Sequence, residues 1–155
     1  MISRIVSGGQ TGADRAALEF AIEHNISHGG WCPKGRRAEA GPIDPRYNLM
    51  ETPSANYEQR TEWNVRDSEA TVIFTLSPEL SGGSKKTEDF AKKHAKKCLH
   101  LHAKLETPAV FLTKFVEYHK VQVLNVAGTR GSKEPTVGQF VKRVLEEAFY
   151  GKPVD

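Results

Sequence analysis

No stretch of this chain approaches the roughly 20 apolar residues that a membrane span needs, and apolar residues make up only 38% of it. A membrane protein is therefore not expected. Cysteine is scarce. Cys32 and Cys98 stand far apart and form no C-x-x-C pair, so reduced thiols in a cytoplasmic protein are the expectation. Strand material begins at residue 2, and no secretory leader is expected. A strong charge of one sign is also missing. The net charge is +3 with acids and bases mixed, too slight a bias for a nucleic-acid partner but suited to a small anionic ligand. The familiar loops that name a nucleotide or a nucleophile, G-x-x-x-x-G-K-[ST], G-x-G-x-x-G and G-x-S-x-G, do not occur.

What is present is a strand running into a glycine turn and then a helix. Ile2 to Val6 is an apolar strand, Ser7-Gly8-Gly9-Gln10-Thr11-Gly12-Ala13-Asp14 is the turn, and a helix pattern runs from Ala13 to His24. Two readings stand side by side. Free backbone N–H groups at the helix start suit an anion, and the glycines let it approach. Alternatively, Thr11 as N-cap with Asp14 three residues on is a capping box.

Similar turns recur. Ala70 to Leu76 is an unbroken strand followed by Ser81-Gly82-Gly83-Ser84 and a helix from Lys85 to about Lys96. Val121 to Ala127 is followed by Gly128-Thr129-Arg130-Gly131-Ser132 and a helix opened by Pro135. Ser27 to Pro33 and Cys98 to His102 read as two further strands, Pro108 to His119 as a helix, and Thr52-Pro53 as the start of a polar helix over 54–67. Between Pro33 and Pro53 lies a long loop, dense in base near Lys34, Arg36 and Arg37.

Five strands alternating with helices predict one α/β domain over residues 1–155. Its sheet would be open, parallel and five-stranded, with helices on both faces. In the order 2-1-3-4-5 the first and third strands are neighbours at the switch point where such sheets bind ligands. Gly8, Gly9, Gln10, Thr11, Gly12 and Asp14 would then face Gly82, Gly83, Ser84 and Thr87 across one crevice. Lys34, Arg36, Arg37, Arg60 and Arg130 would supply countercharge. Gly128 and Ser132 belong to the third turn, and Asn125 offers a donor and an acceptor near the end of its strand. His100-x-His102 lacks a third ligand in sequence reach, and Cys32 and Trp31 read as core residues. No directly bound metal is expected.

The runs 7–18, 29–39, 59–68, 81–84 and 124–135 together resemble the molybdenum carrier family of the Rossmann-like LOG/YpsA group. The resemblance spans nearly the whole chain. It implies a single Rossmann-like domain whose glycine turns bind molybdenum cofactor or a nucleotide, and it implies a homo-oligomer. The wider group includes phosphoribohydrolases that split nucleoside monophosphates. Their signature is an Arg-Lys pair on a helix, then Pro-Gly-Gly-x-Gly-Thr-x-x-Glu. Here Arg60 and the paired Gly82 and Gly83 match, but Thr61, Ser81, Lys85, Lys86 and Asp89 depart from it. A carrier for a phosphate-bearing heterocycle and a nucleotide hydrolase are thus both open. Arg60 close to Glu88 or Asp89 at one pocket would favour the enzyme.

Overall fold

The structure is a computed structural model and describes residues 2–151. Along the chain run β1 (Arg4–Val6), α1 (Ala13–Glu23), β2 (Ser27–Gly29), β3 (Trp31–Cys32), β4 (Met50–Glu51), α2 (Tyr57–Arg66) and β5 (Ala70–Thr75). They are followed by α3 (Gly82–Lys93), β6 (Lys97–His102), α4 (Pro108–His119), β7 (Val123–Gly128) and α5 (Val137–Tyr150). The expected α/β architecture is present: β1, β2, β5, β6 and β7 form one five-stranded sheet, parallel throughout.

Its order is β2-β1-β7-β5-β6, which corrects the predicted 2-1-3-4-5. The last strand lies between the two that were expected to be neighbours. Asn125 of β7 is level with Val6 of β1 on one side and Thr71 of β5 on the other. The alternation of strands and helices is blind to this difference, because it is unchanged when the chain is opened at another loop. Counting from β5 through β6, β7 and β1 to β2 recovers the predicted order. The fold is the expected one with its ends relocated. The switch point therefore falls between β5 and β7, where the following helices leave toward opposite faces.

α1, α4 and α5 pack together as one layer and α2 with α3 as the other. The main core joins Phe20 and the small Ala13, Ala17 and Ala21 of α1 to Val72 and Phe74 of β5, Leu112 of α4, and Val141 and Leu145 of α5. The alanines let α1 lie close to the sheet. α4 occupies Pro108–His119 as predicted, with the proline in its first turn. Gly151 ends α5 in the left-handed region at φ 55°.

The polar helix begins at Tyr57 rather than at Pro53. The reason lies in Thr52, whose N–H bonds the Cys32 carbonyl (2.8 Å) and whose hydroxyl bonds the Ser54 carbonyl (2.8 Å). Those groups are committed to a small parallel pair, β3 with β4, that the sequence pattern did not reveal. The segment between these strands folds around Arg36. Its guanidinium donates to the carbonyls of Ile43 (3.0 Å), Asp44 (2.8 Å), Tyr47 (2.9 Å) and Leu49 (3.4 Å). Beneath it Cys32 packs with Leu18, Ile43 and Tyr47, so the thiol is a core residue as expected. No helix among the described residues is long and apolar enough to cross a membrane.

Candidate functional site

A cavity of about 750 Å³ opens at the carboxyl ends of β5 and β7, the position the corrected strand order assigns to the switch point. One wall is the polar face of α2, with Tyr57, Arg60 and Thr61. A second is the start of α3 from Ser81 to Thr87. A third is the turn after β7, from Ala127 to Lys133, and Gln10 and Asp14 complete the lining. Four cations, Arg60, Lys86, Arg130 and Lys133, stand against two carboxylates, Asp14 and Glu58.

The two helix starts that the sequence offered for an anion differ sharply. At α1 three donors are spent, since Ala13 N–H bonds the Thr129 carbonyl (3.1 Å), Arg15 N–H bonds Gln10 and Ala16 N–H bonds Gly12 (3.1 Å each), while the Gly12 and Asp14 amides have no partner among the described residues. The N-cap is Gly12, at φ 83° and ψ −124°, and no side-chain cap is made, so the Thr11–Asp14 capping box does not form. A β-carbon on Gly12 would lie 2.4 Å from the Thr129 carbonyl oxygen. This glycine lets two turns touch. Gly8 and Gly9 act similarly, since a β-carbon would meet the Arg60 guanidinium at 2.2 Å or Leu49 at 2.6 Å respectively. At α3 the situation is open. Ser84 and Lys85 N–H both turn back to the Ser81 carbonyl (3.2 and 3.4 Å), leaving the Gly82 and Gly83 amides without a partner among the described residues. Nothing lies within 4 Å of where either β-carbon would stand.

Of the predicted site residues, Gln10, Asp14, Arg60, Gly82, Gly83, Ser84, Thr87, Gly128, Arg130 and Ser132 line this cavity. Gly8, Gly9, Thr11, Gly12, Lys34, Arg36 and Asn125 do not. Asn125 is buried mid-strand and its amide donates to the Thr71 hydroxyl (3.1 Å). Lys34 is exposed, and Arg36 is consumed by the carbonyls of its own loop. Sequence reasoning missed Tyr57, Lys86 and Lys133 as lining residues. Tyr57 was legible only as packing on a polar helix. Lys133 Nζ donates to the Ser81 hydroxyl (2.6 Å), tying the β7 turn to the glycine turn.

At the floor Arg60 donates to the Asp14 carboxylate (3.1 Å), which also accepts the Gln10 N–H (3.2 Å). The two side chains are 13% and 5% exposed. Burial pushes the Asp14 carboxyl above the usual range, and the Arg60 charge opposes that rise. Gln10 Nε2 donates to the Arg37 carbonyl (2.9 Å), while its Oε1 is buried without a partner.

Glu39 latches the long loop to the site. Its carboxylate accepts from the Thr11 hydroxyl, the Ser132 hydroxyl (2.7 Å) and the Ser132 N–H (3.3 Å). The Thr11 and Ser132 bonds hold its pKa below the ordinary value. The latch is therefore whole above that ordinary value and is lost as pH falls through the lowered one. The Ser132 amide resonance is expected to move as pH falls below the ordinary glutamate range, and to show no such step in Glu39→Ala. A Ser132 resonance unchanged through that range in the wild type would contradict the latch.

Residues 5–149 match the model of the circularly permutated YpsA SLOG family. The structure is also similar to the 1.45 Å crystal structure of a protein named "Putative molybdenum carrier protein" from Syntrophus aciditrophicus SB, with 46% identity and a TM-score of 0.93. The match covers 96% of this chain and 95% of that one. No curated protein matches the chain. The described permutation agrees with the relocated ends seen in the sheet, and the chain belongs to the circularly permutated YpsA SLOG family.

Proposed function

We infer that this protein binds a phosphate-bearing heterocycle in the β5–β7 cavity and acts as its carrier, with molybdenum cofactor as the cargo. The observation that carries the reading is the open start of α3. The Gly82 and Gly83 amides are unpartnered, have no side chain in front of them, and face a cavity with an excess of cations. A helix N-terminus with free donors is a ready anion site, its dipole contributing about 0.3–1 kcal/mol at an exposed position. The volume suits a whole ligand rather than one oxyanion. Asp14 and Gln10 supply acceptors for a ring's N–H groups. No cysteine or histidine is among the lining residues, so the cargo would be held through its phosphate and ring. The name of the similar crystal structure supports the choice of cargo.

The hydrolase reading fits less well. Glu88 and Asp89 do not line the cavity; they pair with Lys85 (2.8 and 3.4 Å). Arg60 is engaged by Asp14, and Asp89, the carboxylate at the position the signature gives to glutamate, is not among the residues lining the cavity. Calorimetry with molybdate, adenosine monophosphate and molybdenum cofactor, under reducing anaerobic conditions, tests the proposal. Tight binding of the cofactor, weakened by salt, is expected. Tight binding of molybdate with none of the cofactor would refute it.

A further inference from the structure

Three guanidinium groups gather around one ring at the cavity wall. The central carbon of Arg130 lies 4.3 Å from the Tyr57 ring centroid, that of Arg37 4.7 Å and that of Arg60 5.9 Å. They come from three separate segments: the β7 turn, the loop after β3, and α2. Like charges brought together in this way need a counter-ion, and the protein provides little. Arg60 has Asp14, yet its Nε is buried without a partner. Arg37 donates one bond, to the Ala55 carbonyl (3.1 Å). Arg130 is half-buried and makes no side-chain hydrogen bond or ion pair among the described residues. Glu39 acts on Arg130 electrostatically, but its oxygens are taken by Thr11 and Ser132. Stacking on an aromatic face is a modest attraction for each cation. It does not account for three of them at one ring with five donors apiece.

The amides of Gly82 and Gly83 belong to a different wall of the cavity that Tyr57, Arg60 and Arg130 line, while the exposed Arg37 reaches the Tyr57 ring from outside that lining. We propose that the Arg37, Arg60 and Arg130 cluster is a second anion subsite. The ligand then presents two anionic groups, a phosphate at the start of α3 and a further tetrahedral oxyanion at the arginines. This rests on the carrier reading of the cavity. The second oxyanion is either another phosphate of the same ligand or an oxo-metal group, and both offer the planar guanidinium the same paired acceptors.

Calorimetry on the full chain separates these cases. Adenosine monophosphate probes the first subsite alone, and adenosine diphosphate probes both. Molybdate added to protein saturated with the monophosphate probes an oxo-metal group. Either the diphosphate binds at least tenfold tighter than the monophosphate, or molybdate binds the saturated protein. In Arg130→Gln and in Arg37→Gln, each checked for an unaltered melting transition, that preference or that molybdate site is lost. The inference is overturned if the monophosphate binds but neither second anion adds anything. It is equally overturned if the variants weaken both nucleotides by the same factor. Failure of both nucleotides and of molybdate to bind overturns this inference, whereas the carrier reading stands or falls with binding of the cofactor.

Discussion

Arg60→Met is expected to destabilise the protein by about 3–5 kcal/mol at neutral pH, the usual cost of leaving one member of a buried ion pair alone. Asp14 is nearly inaccessible, and Arg60 is its one ion-pair partner among the described residues. The fold is shaped around this pair. Gly8 lacks a side chain where the guanidinium lies, and Asp14 anchors the Gln10 amide that turns the chain from β1 into α1. Without Arg60 only the Gln10 N–H, the Arg130 charge and the Ser7 hydroxyl remain to oppose burial, so the pKa, already raised, climbs further. The sign follows. A carboxyl whose folded pKa exceeds its unfolded value gives stability that is present below the unfolded value and lost as pH rises through the folded one. The variant therefore falls further behind the wild type between pH 5 and pH 7.5. Urea unfolding of both proteins at the two pH values measures it. A deficit under about 1 kcal/mol at pH 7.5, the worth of an exposed pair, would show that the pair is not the support described. Asp14→Asn in the Arg60→Met background should recover part of the loss, because the orphaned charge is gone.

Gly83→Asp should abolish ligand binding while leaving the fold intact. Position 83 is in the first turn of α3, and a β-carbon there meets nothing within 4 Å. An aspartate at a helix N-terminus interacts favourably with the dipole, by about 0.3–1 kcal/mol, and replaces a poor helix former. The melting temperature should hold or rise slightly. The same carboxylate occupies the amides that the phosphate would use and repels it. A loss of at least a hundredfold, or about 2.7 kcal/mol, is expected. This pairing of opposite effects is diagnostic, since general damage to the fold lowers both. Gly9→Val makes the contrast: it strikes Leu49 and Ile43 at φ 77° and should destabilise the protein. Unchanged affinity in Gly83→Asp would place the anion elsewhere.

The local parts of this architecture were legible because each is written locally. The unbroken run of β5, the alanine stripe of α1 and the proline at the start of α4 each specify an element without reference to the rest. Strand order is not local, and β7 inserts between β1 and β5 through contacts 54 to 119 residues apart in the chain, such as Asn125 to Thr71 and Ser7 to Val126. The site divides the same way. Ser81 to Thr87 announced itself as a strand, turn and helix. The glycines of the first turn announced a close approach, but not that the approaching groups are a guanidinium, Leu49 and a carbonyl. Arg36 reads as countercharge by composition, whereas its charge is used on carbonyls of its own loop. Tyr57 carries no signal of its role, because two of the three arginines around it, Arg37 and Arg130, come from distant segments.

The central claim is that a phosphate docks on the start of α3. An amide NMR titration of the isotope-labelled protein with adenosine monophosphate tests it most directly. The account predicts that the Gly82 and Gly83 amide resonances move first and farthest, toward the shifts of strongly hydrogen-bonded N–H groups, while Gly12 and Ala13 stay near their starting positions. Saturable shifts centred on Gly9 to Ala13, with Gly82 and Gly83 unmoved, would contradict it.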